Sequence, residues 1–582
     1  MGTRRGLCKR TIRSVVGTAF LLPVGVLGQG VIPSPPMAPD RPTVTVNVDL
    51  AHATAPFRPI YSWFGYDEGN YSTTDLGRAL LGELHDLSPV PVHIRVHHLL
   101  TSGNGQPELK FSSTNVYHED ADGHPVYDFT LLDGIFDAYK ETGVQPMVEF
   151  GFMPKDLAAD LPDRHEYQVH YPKSTISGAS NNPPKDYKKW GDLIRAVTAH
   201  LVQRYGKETV QQWYFEVWNE PDIDYWHASR EDYIRLYDYT VAGVRAALPT
   251  ARVGGPATTG PSSEHAHDYL KAFLDHVSTG KSAATGGKVP LDFISFHVKG
   301  RPTIAGGHVT MGLNHELSDA DHGFALIADY PALRKLPIIL SEADPEGCAA
   351  CSSRVNPANN YRNGTLYPTY TAAAYKGLLD LAQQHDVNLI SMLSWSFEFE
   401  GKDYFEGFRS LASNGIDKPV LNLFRMLAQM SGERVQATSS GSVPLATQVA
   451  AGVRENPDVD ALAACDGKQA TVMLWNYHDS AEGGAVEPVA LKVAGLPAGV
   501  RRVFVREYRI DDTHSNAYTT WKEMGSPQQP TTEQYAKLKD AAGLQLFGSP
   551  TWVDAGNGTV SLSTLMPKSS VSLLVMSWSA HP

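Results

Sequence analysis

The sequence predicts a (β/α)8 TIM barrel followed by a C-terminal β-sandwich. Three observations carry that reading. From about residue 59 to 400, β-rich runs alternate with amphipathic helical stretches. Polar and aromatic residues gather where those runs end, and past about residue 435 the apolar period falls to two.

Eight strand candidates fill the first region: PIYSWFGYD (59–67), VPVHIRVHH (90–98), VQPMVEFGF (144–152), QQWYFEVWN (211–219), ARVGGPAT (251–258), LDFISFHVK (291–299), LPIILSEAD (336–344) and NLISMLSWSF (388–397). Between them, apolar residues recur at helical intervals in 130–143, 186–206, 230–248 and 370–386. No Gly-rich phosphate turn follows any strand, which favours a barrel over an open doubly wound sheet. His97, Glu220, His297, Glu342 and Trp395 sit at strand ends, where barrel enzymes build their sites. These units define a barrel over 55–434.

The segment 435–582 alternates with period two and has a hairpin signal at Asp466-Gly467, as a β-sandwich does. A partly helical insert interrupts it near 511–543. Residues 31–54 form a Pro-rich lead-in and a strand, TVTVNVDL (43–50), that joins the β-domain. Residues 1–30 pair a basic flank, TRRGLCK (3–9), with the short apolar run VVGTAFLLPVGVLG (15–28), the pattern of an export signal. Arg4-Arg5 resembles a twin-arginine signal, and an ordinary secretory signal is the alternative. The predicted location is periplasmic or extracellular. The run is too short and broken for a good membrane span.

A formal charge of -13 argues against general nucleic-acid or anionic-membrane binding. Of four cysteines, Cys8 lies in the leader and Cys465 stands alone in a later strand. Cys348 and Cys351, in CAAC, can close a small disulfide in an exported protein, or remain two loop thiols. No four-ligand zinc spacing and no His/Asp cluster marks a metal site.

WYFEVWNEPD (213–222) carries two glutamates. Pro221 ends the strand and leaves Glu220 at the barrel mouth. Glu216, deeper among apolar residues, needs buried partners and reads as structural. The apolar run of strand seven ends in Glu342, with Asp344 and Glu346 as competitors, and Asp344 before Pro345 reads as a turn residue. Glutamates ending strands four and seven would face each other across the mouth, as a retaining glycosidase requires.

WNEPD with a later strand ending in a glutamate resembles the clan A retaining glycosidases. RVHHLL (95–100), PLDFISFHVKG (290–300), SEADPEG (341–347), FEGFRSL (405–411) and YRIDDTHSNAY (508–518) narrow the resemblance to glycoside hydrolase family 39, which contains β-xylosidases and α-L-iduronidases. The resemblance implies Glu220 as acid/base, Glu342 as nucleophile, Asn219 on the hydroxyl next to the anomeric carbon, His97 on the glycone and His297 beside the nucleophile. Trp395 can stack on a sugar face or pack in the core. Glu400 matches an acidic position of the family, and can equally lie in a solvated loop. Lys299 and Arg409 coincide with positions that bind a uronate carboxylate in the iduronidases. Alternatively, Lys299 pairs with an acidic neighbour and Arg409 braces its own loop. The expected protein is an exo-acting retaining glycosidase of plant-type oligosaccharides, a β-xylosidase, with no cofactor. The rivals are a uronide- or L-arabinose-releasing enzyme of the same family and a non-catalytic carbohydrate-binding protein.

Overall fold

The computed structural model describes residues 41–161 and 178–579. The expected export segment, residues 1–30, lies outside the described residues, as does most of the Pro-rich lead-in. No helix among the described residues is long and apolar enough to cross a membrane.

Eight parallel strands form the barrel: strand one Trp63–Tyr66, two His93–Val96, three Gln145–Phe150, four Tyr214–Val217, five Arg252–Thr258, six Phe293–Lys299, seven Pro337–Asp344 and eight Asn388–Met392. Each pairs with its neighbour in chain order. Strand eight then breaks after Met392, and Ser394–Trp395 pairs with Phe64 and Gly65 of strand one, which closes the ring. Gly65 is required at that seam, because a Cβ there would stand 2.5 Å from the Trp395 ring.

Side chains of period two point into the barrel, and they change character with height. Trp63, Met147, Tyr214, Phe293, Ile339 and Leu393 fill the lower interior. Two residues further along strands two, three and four come Arg95, Glu149 and Glu216, all buried. The packed apolar floor therefore excludes water from below, and the charged layer above it feeds the mouth.

The second domain is a ten-stranded sheet wrapped around its own core. The strand Val44–Pro56 lies between Glu433–Ser439 and Glu487–Ala494. Strands Asp458–Cys465 and Gln469–Tyr477 are buried on both faces. Val459, Ala461, Val472 and Leu474 serve the sheet's own core, whereas Leu462, Met473, Trp475 and Tyr477 pack into the barrel core with Tyr370 and Leu378 of the helix Leu366–Gln384. Segment 511–543 contains the helices Ala517–Glu523 and Thr532–Ala542, which pack on Phe405 and Ile416.

Candidate active site

Strand four stops at Val217, three residues before the Glu220-Pro221 step that marks its end in sequence. Trp218 and Glu220 both take positive φ, 68° and 41°, an uncommon conformation for side chains of this size. The Glu220 N–H donates to Ala257 O at 2.9 Å, which ties this turn to the end of strand five. The turn lifts Asn219 and Glu220 to the mouth.

Opposite, a register shift between Leu340 and Glu342 on strand seven brings Glu342 beside His297 of strand six. His297 Nδ1 lies 2.8 Å from Glu220 Oε1 and 3.9 Å from Glu342 Oε1. That nitrogen and one oxygen of each glutamate all fall within 4.8 Å of one another.

Glu342 is surrounded by cations. Lys299 Nζ donates to Oε2 at 2.6 Å, and Arg95 Nη1 to Oε1 at 3.2 Å. His97 Nε2 is 3.4 Å from Oε1. Burial opposes ionisation of Glu342, but Lys299, then His297, His97 and Arg95, outweigh it and hold the carboxyl well below its usual range. His97 is itself pushed up to about 9: burial works against its charge, and Glu149 at 2.6 Å on Nδ1 overcomes that.

Arg95 links the whole group. Its Nε donates to Glu216 at 2.5 Å, and its Nη2 to Asn219 Oδ1 at 3.0 Å and to Glu149 at 2.8 Å. Its guanidinium lies 5.0 Å from the Trp395 ring centroid. One buried cation thus orients Asn219, Glu342 and the deeper glutamates together. Glu216 has the buried partner that its position demanded.

The match to known proteins agrees with this geometry. The family model for glycosyl hydrolases family 39 matches residues 104–556. The chain belongs to family 39. It is therefore a glycosidase. A β-xylosidase of Geobacillus stearothermophilus is 28% identical over 502 residues, 83% of this chain and 85% of that one. An α-L-iduronidase of Mus musculus is 26% identical over 441 residues, 71% and 63% of the two chains. Among solved structures, a monomeric β-xylosidase from Caulobacter crescentus CB15 superposes with TM-score 0.69 at 22% identity, covering 92% of this chain and 99% of that one. A bacterial orthologue of human α-L-iduronidase gives TM-score 0.72 at 21% identity, with coverages of 93% and 85%. These two share the barrel fold.

Within this family 39 barrel, Glu220, Glu342, Asn219, His97, His297, Lys299 and Trp395 converge. Trp395 is 2% exposed, with its indole N–H 3.3 Å from Asp67 Oδ2 and its backbone N–H on Asp344. Its ring centroid lies 4.3 Å from that of His97. Asp344 is more than a turn residue, since it accepts from Lys299 at 2.9 Å.

Arg409 and Glu400 stand apart. Arg409 is wholly buried. It donates to Trp395 O and to Glu346, and its Nη2 is 3.4 Å from Asp344. That arrangement braces the chain after strand seven. Glu400 Oε1 accepts from Leu76 N at 2.8 Å, at the start of the helix Asp75–Leu87, where a carboxylate complements the helix dipole. Cys348 and Cys351 form a disulfide with Cα atoms 5.5 Å apart. The loop that they close gives Ala349 O to the Arg409 N–H.

Arg95 and Glu149 are not among the residues singled out from sequence. Their signal was present: RVHH and MVEF each hold a charge inside an apolar strand, and a buried charge needs a partner.

Proposed function

We propose that this chain is an exported, exo-acting retaining glycosidase that hydrolyses β-xylosides by double displacement. Glu220 protonates the leaving oxygen and Glu342 attacks the anomeric carbon. One observation carries the reading: oxygens of the two carboxylates and the His297 nitrogen lie within 4.8 Å of one another. Retaining enzymes hold the pair about 5–5.5 Å apart, whereas inverting ones leave about 6.5–9.5 Å for a water. The cation-rich setting of Glu342 keeps it ionised, as a nucleophile needs. Asn219, held by Arg95, is poised for the hydroxyl beside the anomeric carbon. After attack, Glu220 deprotonates the water that releases the sugar. Both reacting groups are carboxylates, so the cycle calls for no cofactor.

A neutral glycone fits the charge balance. Lys299 is engaged by Glu342 and Asp344, and Arg409 by Glu346 and Asp344, so a sugar carboxylate would meet acids already paired there. The second reading is a uronide. It is favoured by the partial exposure of Lys299, 15% of its side chain, at the mouth. A panel of aryl β-D-xyloside, α-L-iduronide, α-L-arabinofuranoside and α-L-arabinopyranoside separates them. Turnover of the xyloside alone supports the first reading, and turnover of the iduronide alone replaces it. If all four stay inert at high enzyme concentration, a carbohydrate-binding role takes precedence.

A further inference from the structure

The end of strand one carries a charged pair that the proposed mechanism does not use. Asp67, directly after Tyr66, is 2% exposed. Its carboxylate meets three side chains: Lys110 Nζ at 3.0 Å, the Trp395 indole N–H at 3.3 Å and His97 Nε2 at 3.6 Å. The same His97 nitrogen stands 3.4 Å from Glu342 Oε1. Asp67 and Glu342 therefore approach one imidazole atom, from the end of strand one and from strand seven.

Lys110 arrives from the loop after strand two, and its ammonium lies 5.9 Å from the ring centroid of Tyr225, on the loop after Glu220. It thus spans from strand one towards the loop that bears the acid. Neighbouring residues also hold that loop. Glu68 accepts the Lys110 N–H at 2.6 Å. Asn70 accepts from the Ser113 N–H and the Ser112 hydroxyl, both at 2.9 Å, and donates to Ser113 O at 3.1 Å. A buried ion pair costs desolvation and is a weak source of stability. A carboxylate beside an ammonium offers an acceptor and a donor together, which suits two adjacent hydroxyls.

We propose that Asp67 and Lys110 bind the glycone hydroxyls remote from the anomeric carbon and so select the sugar. The proposal rests on Glu342 being the nucleophile. Asp67 would accept from one hydroxyl and Lys110 would donate to its neighbour, with Trp395 fixing the carboxylate. They touch substrate without taking part in bond cleavage.

The test compares wild type, Asp67→Asn and Lys110→Met on an aryl β-D-xyloside and on its 3-deoxy and 4-deoxy counterparts. Each variant should lose roughly 10- to 100-fold in kcat/KM on the parent, the value of a charged hydrogen bond. On one of the deoxy compounds the loss should fall below about threefold, since the contact is already absent there. Equal losses on parent and both deoxy compounds, or no loss on the parent, would overturn the proposal. Melting temperatures close to wild type exclude a folding defect. If wild type turns over a different glycoside of the panel, the β-xyloside assignment fails, and the same comparison is made on deoxy forms of that glycoside.

Discussion

The ammonium of Lys299 lies 2.6 Å from Glu342 Oε2, closer than any other cation to this carboxylate, and it shares itself with Asp344 at 2.9 Å. Strand six thereby supplies the largest favourable contribution to keeping Glu342 ionised.

Removing that charge should be visible in the pH profile. A depressed carboxyl stays ionised down to its lowered pKa, so activity that needs the anion is lost only as pH falls through that value. In Lys299→Met the pKa rises, and the acid limb of kcat/KM should move to higher pH. The profile of the variant on an aryl glycoside checks this. An unmoved acid limb would assign Lys299 to substrate contact alone.

His97 gives a second pH effect, of opposite sign. Its folded-state value is pushed up to about 9 from an ordinary 6.5. The stabilisation from its charge is therefore fully present below about pH 6.5 and is lost as pH rises through about 9. Unfolding free energy of the wild type should decline across that window by a few kcal/mol. His97→Gln should flatten the decline, and parallel curves for the two proteins would contradict the charge assigned to His97.

Arg95→Met leaves Glu216 buried without its cation and Glu149 with His97 alone. Breaking such a network from one side costs roughly 3–5 kcal/mol. Denaturant unfolding should show that loss, and Arg95→Met combined with Glu216→Gln should recover part of it. A double variant no more stable than the single one would show that Glu216 is not the group left stranded.

These effects mark where sequence reading succeeds and where it stops. In sequence, Glu220 and Glu342 are expected where a proline and the end of an apolar run stand, and the structure brings the two side chains together. Strand four nevertheless stops at Val217, and strand seven runs on to Asp344. The barrel was legible because eight apolar segments alternate with helical periodicity. The left-handed turn at Trp218 and Glu220 was not, since its support is Ala257 O on another strand. Arg95 and Glu149 were not singled out, and the partners that Glu216 needed had no names, because closure of the barrel is what brings the three together. Glu400 and Arg409 have partners, Leu76 and Glu346, too distant in sequence for a local pattern to name.

Glu220→Ala should separate substrates by leaving group. Glycosides with poor leaving groups need a proton on the departing oxygen, and their hydrolysis should fall by about 10²–10⁴-fold. A dinitrophenyl glycoside releases its aglycone as the phenolate anion without a proton, so it should lose far less in its first step. Equal losses on both would remove Glu220 from the acid role.

The central claim is that Glu342 becomes covalently attached to the sugar. A 2-deoxy-2-fluoro xyloside with a dinitrophenyl leaving group slows release more than attack, so the intermediate should accumulate. Peptide mass spectrometry of the inactivated protein should then find one fluorosugar, on Glu342 within SEADPEG. A label on Asp344 or Glu346, or hydrolysis without any covalent species and with inversion of the anomeric centre, would contradict the account.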